Sequence, residues 1–176
     1  QSGPRLSKGK CGMRRALQEP PKSRLVVAFL WHPSFSPQFN LFGEVASQSS
    51  TFDFTYTSYY ESEMGPGLKK CFVEVRGEQA RDTLVQHKHR ATDFENQCLA
   101  PTGSRLLNLD PMLVSIENVV GASSKNFPHR LYLGEGVYGD LALIRRKGEY
   151  APLPWTYADY TAQIPYFNQV YQALRA

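Results

Sequence analysis

The sequence contains no apolar run long enough to cross a membrane, and it has little cysteine. A membrane-spanning helix needs about 18 consecutive apolar residues, and no stretch of the chain reaches that length. The three cysteines, Cys11, Cys71 and Cys98, lie far apart with no C-x-x-C pair, which argues against a structural zinc site and a disulfide framework. We therefore expect a protein of the reducing cytoplasm without membrane contact.

The familiar cofactor and metal motifs are also missing. Neither the phosphate loop G-x-x-x-x-G-K-[ST] nor the nucleophile elbow G-x-S-x-G occurs. Residues 134–139 match G-x-G-x-x-G, but the following residues predict a strand, whereas a dinucleotide site needs a helix there. His87 and His89 are two residues apart on a predicted helix, so they face different sides. The sequence thus identifies no cofactor and no metal ligands.

Positive charge is concentrated at one end of the chain. Residues 1–24 carry seven basic side chains and one acidic side chain, a net of +6, so residues 25–176 carry −2 of the total of +4. Tails of this composition bury too little apolar surface to fold. We expect a disordered tail over 1–24, with Met13 as the natural start and residues 1–12 derived from a vector. A nucleic-acid-binding arm is the alternative interpretation.

Apolar periodicity in the remaining chain predicts a single α+β domain over 25–176. The run 24–31 is almost entirely apolar, which is typical of a central strand buried on both faces. Five further elements are predicted after it: helix 36–45, strand 49–56, strand 68–77, helix 78–99 and strand 104–110. This β-α-β-β-α-β order is that of a ferredoxin-like antiparallel sheet. A short helix over 112–121, a hairpin around residues 134–136 and a C-terminal helix opened by Pro165 extend it.

Four blocks of the sequence carry a family resemblance. They are FDFTYTSYYESEMGPGLKKCFVEV, RLLNLDPMLV, SSKNFPHRLYLGEGVYGDLAL and LPWTYADY. In this order they resemble the signature blocks of the domain of unknown function family DUF4416, a group of small bacterial and archaeal proteins, over about residues 25–174. The family has no assigned activity, so the resemblance implies no mechanism.

Polar and aromatic residues are concentrated in the loops between residues 105 and 160, where binding residues are common. Lys125, His129 and Arg130 place three cationic groups within six residues, which suits either an anion site or an ordinary solvated loop. Gly134 and Gly136 predict a tight hairpin turn or, alternatively, backbone amides that approach an anion.

Three more residues belong to the candidate site. Asp110 either holds a turn or acts as a general base facing His129. Trp155 and Tyr160 either seal the edge of the core or cover a ligand.

We therefore expect a cleft that binds a phosphate group of a nucleotide or a phosphorylated metabolite, with enzymatic activity left open. Lys125 and Arg130 would hold the anion, and His129 would act as acid or base with Asp110 orienting it. Gly134 and Gly136 would admit the ligand, and Trp155 or Tyr160 would cover it. The alternative is a non-catalytic module that binds RNA or a protein. RNA binding calls for a contiguous basic face on the folded domain, and the net charge of −2 on residues 25–176 argues mildly against one.

Overall fold

The structure is a computed structural model that describes residues 16–176. Most of the predicted tail, including Met13, lies outside the described residues. Residues 16–22 are exposed and belong to no helix or strand, and the first strand begins at Ser23. No helix in the described part of the chain is long and apolar enough to cross a membrane.

Strands dominate the described residues. In chain order they are β1 Ser23–Trp31, β2 Val45–Gln48, β3 Phe52–Asp53, β4 Lys69–Gln79, β5 Leu107–Val114, β6 Asn118–Ser123, β7 Arg130–Gly134, β8 Val137–Arg146 and β9 Glu149–Pro152. The α-helices are α1 Glu61–Met64, α2 Leu84–Gln97, α3 Ala158–Ala162 and α4 Ile164–Arg175.

All nine strands join one sheet of order β2-β4-β1-β5-β6-β8-β7, in which β3 also pairs with β4 and β9 with β8. Every strand pair in the described residues is antiparallel. The α+β, ferredoxin-like prediction is wrong, because the described residues form one large nine-stranded sheet with few helices rather than a small four-stranded core. The helix that the predicted order requires between its first two strands does not form between β1 and β2. The sheet also continues beyond β5 into β6, β8 and β7.

The central strand was predicted correctly, and it explains the position of the core. Alternate residues of β1 enter opposite apolar clusters: Val27 and Phe29 on one face of the sheet, Val26 and Ala28 on the other. All four are at most 1% exposed. A strand covered on both faces is expected to lack polar alternation, as this one does.

Two helices cover the two faces of the sheet. The predicted helix 78–99 is confirmed as α2, whose Leu84 and Ala91 are buried in the first cluster. The predicted C-terminal helix is confirmed as α4, which has Pro165 in its first turn and buries Phe167 and Val170 in the second cluster. The molecule is thus layered as α2, sheet and α3–α4.

Two predicted elements between β1 and β4 are wrong or much shorter. No helix forms over 36–45, although Phe39 packs edge-on against Phe29 and Trp31. An apolar spacing of three residues can therefore arise from an irregular loop that lies on the core. The predicted strand 49–56 is reduced to β3, the two residues paired with β4.

The predicted helix 112–121 is also wrong, because this segment is a hairpin. β5 continues through Pro111 to Val114, and β6 begins at Asn118. The Ser115 hydroxyl accepts hydrogen bonds from the amides of Glu117 and Asn118 and closes the turn. Short apolar segments of this length do not distinguish helix from strand. The predicted hairpin of β7 and β8 is confirmed.

Candidate functional site

A cleft opens where two neighbouring strands of the sheet diverge. β5 pairs with β1 along its whole length, from Leu107 to Val114, but with β6 only through its last three residues. Pro111 has no amide hydrogen to donate to a neighbouring strand, and it lies next to Met112, where pairing with β6 ends. Helix α2 and the segment 157–160 border the opening.

The cleft has two adjoining parts. The first, which we call the charged chamber, has a volume of about 440 Å³. Its charged lining residues are Lys88, Glu95, Arg105, Asp110, Lys125, Arg130, Glu135 and Asp140. The second, the aromatic chamber, has a volume of about 380 Å³ and includes seven aromatic side chains. Asp110, Lys125, Tyr59, Tyr60, Tyr157 and Tyr160 line both.

Asp110 lies at the junction of the two chambers. One carboxylate oxygen accepts a hydrogen bond from the Lys88 ammonium at 3.3 Å, and the other accepts one from the side-chain amide of Asn108 at 2.9 Å. Partial burial works against ionisation, but the positive charges of Lys88 and Lys70 and these hydrogen bonds outweigh it and hold the pKa of Asp110 below its usual range. Asp110 is therefore an ionised carboxylate positioned by two side chains.

A second carboxylate, Glu95, lies on α2 in the wall of the charged chamber. It is 6% exposed, accepts a hydrogen bond from the Leu109 amide at 2.6 Å and lies 3.6 Å from the Arg105 guanidinium. Burial raises the pKa of Glu95 above its usual range despite these partners. The two carboxylates of one cleft thus have pKa values displaced in opposite directions, a pattern found where one carboxylate serves as acid and another as base.

Arg105 connects this wall to helix α1. Its guanidinium makes a two-pronged contact with the Glu63 carboxylate at 2.7 and 2.8 Å and donates to the Asn108 side chain at 2.9 Å. Bidentate pairs of this kind are the stronger and more directional ion pairs. Arg105 therefore fixes Asn108, which in turn holds Asp110.

Arg130 is a buried residue in the wall of the charged chamber. Its side chain is 4% exposed and donates to Asp140 at 3.1 Å, the Ser123 hydroxyl at 2.8 Å, the Lys125 carbonyl at 3.2 Å and the Tyr157 hydroxyl at 3.1 Å. Four such contacts occupy most of the five donors of a guanidinium. Arg130 lines the cleft, but other groups of the protein already use most of its hydrogen-bonding capacity.

Lys125 is bound differently from the other cations of the cleft. Its ammonium donates to the Tyr59 hydroxyl at 2.6 Å and lies 4.1 Å from the centroid of that ring. Lys70, Lys88, Arg105 and Arg130 each pair with a carboxylate. Within residues 16–176, no carboxylate lies within 4.0 Å of the Lys125 ammonium.

The aromatic chamber has a buried ion pair at its floor. The Lys70 ammonium lies 2.5 Å from the Asp159 carboxylate, and the two side chains are 7% and 4% exposed. The ammonium is also 4.9 Å from the centroid of the Phe54 ring and 5.2 Å from that of Tyr160. The opposite charge and the aromatic rings together compensate the cost of burying this lysine.

Two tyrosines, Tyr60 and Tyr160, line both chambers. Burial, reinforced by the nearby charge of Asp110, raises the pKa values of Tyr60 and Tyr160 well above the usual tyrosine range. Their hydroxyls therefore stay protonated and can donate or accept hydrogen bonds. Tyr160, which we expected to cover a ligand or to seal the core, lines both chambers and packs edge-on against Phe72 in the core.

The other predicted site residues divide into two groups. Gly136 lines the charged chamber, whereas Gly134, His129 and Trp155 are absent from the lining of both chambers. The His129 ring is stacked between Phe127 and Trp155, with centroid separations of 6.1 and 5.1 Å, and its Nε2 atom faces Asp140 at 3.6 Å. The Trp155 indole donates to the Leu141 carbonyl. The structure thus pairs His129 with Asp140 rather than with Asp110.

The sequence interpretation missed Lys70, Glu95 and Asp159, and two of them left a signal. Lys70 lies on the same face of β4 as the buried Phe72, two residues further on. Glu95 lies on α2 one turn after the buried Ala91. A charged residue at a position where the period predicts an apolar one indicates a paired or functional group. Asp159 carries no comparable pattern.

Fold and cleft together define a class of protein: a single large antiparallel sheet with helices on both faces and a charged cleft between diverging strands. The model of the family described as domain of unknown function DUF4416 matches residues 29–175. The chain belongs to this family, as the four blocks indicated. No curated protein and no solved structure matches the chain.

Proposed function

We propose that the protein binds a small organic ligand with an anionic group, phosphate or carboxylate, in the cleft between β5 and β6. The observation that carries the proposal is Lys125, whose ammonium faces both chambers without a carboxylate partner in residues 16–176. An anion from solution can complete its coordination. The volumes of about 440 and 380 Å³ lie within the range of about 300–1,000 Å³ for small-molecule sites.

Hydroxyl groups around Lys125 support an anion site. Ser123, Ser124 and the Tyr59 and Tyr157 hydroxyls line the charged chamber with it. Ser123 already accepts from the Lys125 amide at 3.1 Å and from Arg130, so its own hydroxyl hydrogen is available to a ligand. Arg130 then acts mainly by shaping the pocket, and Lys125 supplies the charge.

If the protein is an enzyme, Asp110 is the residue we propose as general base. It borders both chambers, it is ionised, and Asn108 and Lys88 hold it in place. Glu95, with its raised pKa, is the corresponding proton donor in the same chamber. The free thiols of Cys71 and Cys98 support the cytoplasmic location that we propose.

Replacing Lys125 tests this proposal. Lys125→Met keeps the length of the side chain and removes the charge, and Lys147→Met makes the same change in an exposed turn outside the cleft. Pyrophosphate, ribose 5-phosphate and citrate are titrated into each protein by calorimetry. We expect Lys125→Met to weaken binding about 10- to 100-fold, the worth of a charge-assisted hydrogen bond, and Lys147→Met to change nothing. Equal affinities in both variants would disprove the role of Lys125.

The alternative function, a protein-interaction module, is favoured by one feature outside the cleft. Strand β7 forms an edge of the sheet, and its Leu131, Tyr132 and Leu133 are 75%, 62% and 46% exposed. An exposed apolar edge strand is a template for pairing with another strand, and two copies of β7 can pair antiparallel across a two-fold axis. Sedimentation of the wild type and of Leu131→Lys tests whether two copies pair through β7. A wild-type dimer that the variant does not form supports this pairing, and a wild-type monomer excludes it.

A further inference from the structure

The aromatic chamber has more exposed aromatic surface than a closed core edge would leave. Tyr56, Tyr59, Phe127 and Tyr157 line it and are 47%, 61%, 46% and 55% exposed. Single exposed apolar residues are common on protein surfaces, but several such rings around one opening mark a binding surface. Lys125 lines the same chamber, so the anion position and the aromatic rim belong to one continuous cavity.

The floor of this chamber is polar, unlike its rim. The Lys70–Asp159 pair provides a donor and an acceptor side by side, each almost completely buried. An ammonium has three donors and a carboxylate about four acceptor positions, so the pair has unused capacity on both sides. A hydrocarbon group placed there would cover these charged groups without satisfying them, which costs free energy.

We propose that the ligand carries a planar nitrogen heterocycle besides its anionic group, and that the heterocycle occupies the aromatic chamber. This inference rests on the proposed function, because Lys125 positions the anionic end. The heterocycle stacks on the rim rings, and its edge, which has both ring nitrogens and N–H or amino groups, meets Asp159 and Lys70. The anion then points towards Ser123 and Ser124 in the charged chamber.

Comparing matched ligands with and without the ring tests the inference. The probes are pyrophosphate, ribose 5-phosphate, the 5′-monophosphates of adenosine, guanosine, cytidine and uridine, and riboflavin 5′-phosphate. Dissociation constants are measured by calorimetry for the wild type, Phe127→Leu, Tyr56→Leu and Lys125→Met. Tyr171→Leu is the matched control, since Tyr171 is a partly exposed ring on α4 that lines neither chamber. Circular dichroism melting confirms that each variant is folded.

We expect at least one heterocyclic phosphate to bind about tenfold or more tightly than ribose 5-phosphate, in line with the strength of base stacking on aromatic side chains. Phe127→Leu or Tyr56→Leu should reduce this ratio several-fold, and Lys125→Met should weaken both ligands about equally. Tyr171→Leu should leave the ratio unchanged. If either rim variant is unfolded, the other still measures the ratio.

Two results would overturn the inference in distinguishable ways. If ribose 5-phosphate binds through Lys125 as tightly as every heterocyclic phosphate, the ring site does not exist and the anion site stands. If neither pyrophosphate nor any other probe binds, the proposed function fails and the inference with it. A ratio that persists in both rim variants would place the ring elsewhere and also refute the assignment.

Discussion

Replacing Arg130 by Met should destabilise the protein far more than the loss of an ordinary hairpin ion pair. Arg130 and Asp140 are cross-strand partners on β7 and β8, and an exposed pair of this kind would contribute at most about 1 kcal/mol. Here, however, the two side chains are 4% and 13% exposed. Removing one member of a buried pair costs about 3–5 kcal/mol, because the remaining charge stays buried without its partner.

The magnitude follows from what Arg130→Met leaves behind. Met retains most of the apolar contact, but Asp140, Ser123 and the Tyr157 hydroxyl each lose a hydrogen-bond donor. The Asp140 side chain is 13% exposed, so water can still solvate part of its charge. We therefore expect a loss near the lower end of that range, about 3 kcal/mol in the free energy of unfolding.

Urea unfolding followed by circular dichroism measures this loss. With a slope of about 1–3 kcal/mol per molar urea, the midpoint should fall by about 1–3 M. Asp140→Asn and the double variant complete the cycle, and the double variant should lose clearly less stability than the sum of the single variants. A loss below about 1 kcal/mol for Arg130→Met, or additive single effects, would refute the buried-pair reasoning.

Three further substitutions test the core and the two displaced carboxylates. Val27→Asp places an unpaired carboxylate at a position that is 0% exposed and should abolish cooperative melting; a folded variant would contradict the central position of β1. Because the pKa of Glu95 is raised, the wild type loses stability as pH rises from the unfolded-state pKa of about 4.3 through the folded-state pKa. Glu95→Gln keeps an oxygen for the Leu109 amide. Over that pH range it should lose less stability than the exposed control variant Glu149→Gln. The effect of Asp110 on the pH dependence of stability has the opposite sign, because its lowered pKa stabilises the folded state above about pH 3.9, and this contribution disappears as pH falls through the folded pKa. Asp110→Asn should therefore be less stable than the wild type near neutral pH and equally stable in acid. A constant difference between the two urea midpoints at every pH would contradict this.

Strands and helices with a strong period were predictable because local physics determines them. The apolar run of β1, the helical spacing of α2 and α4, and the glycine turn between β7 and β8 each indicate one conformation. The ferredoxin-like arrangement failed because no helix forms over residues 36–45, and residues 112–121 form a hairpin through which the sheet grows to nine strands. The apolar spacing of Phe39 and Phe42 satisfied a helix as well as the loop that lies on the core, and only the packing against Phe29 distinguishes them.

The candidate site was predicted in composition more than in geometry. Asp110, Lys125, Arg130, Gly136 and Tyr160 border the cleft, as a concentration of polar and aromatic loop residues suggested. His129 and Trp155 satisfied the same criterion and yet stack on each other outside it. Residue type indicates what a side chain can do, but the direction in which a loop residue points depends on its neighbours in space.

Local order along the chain thus determined which segments are buried, which residues form the two covering helices, and which part of the chain carries the site. Long-range pairing determined the rest. The opening between β5 and β6 exists because their pairing stops at Met112, and the Lys70–Asp159 pair joins residues 89 positions apart in sequence. The alternation of β4 indicates that Lys70 is buried, but not that Asp159 is its partner. Neither contact can be predicted from one segment alone, since each joins two segments whose separate sequences are compatible with many partners.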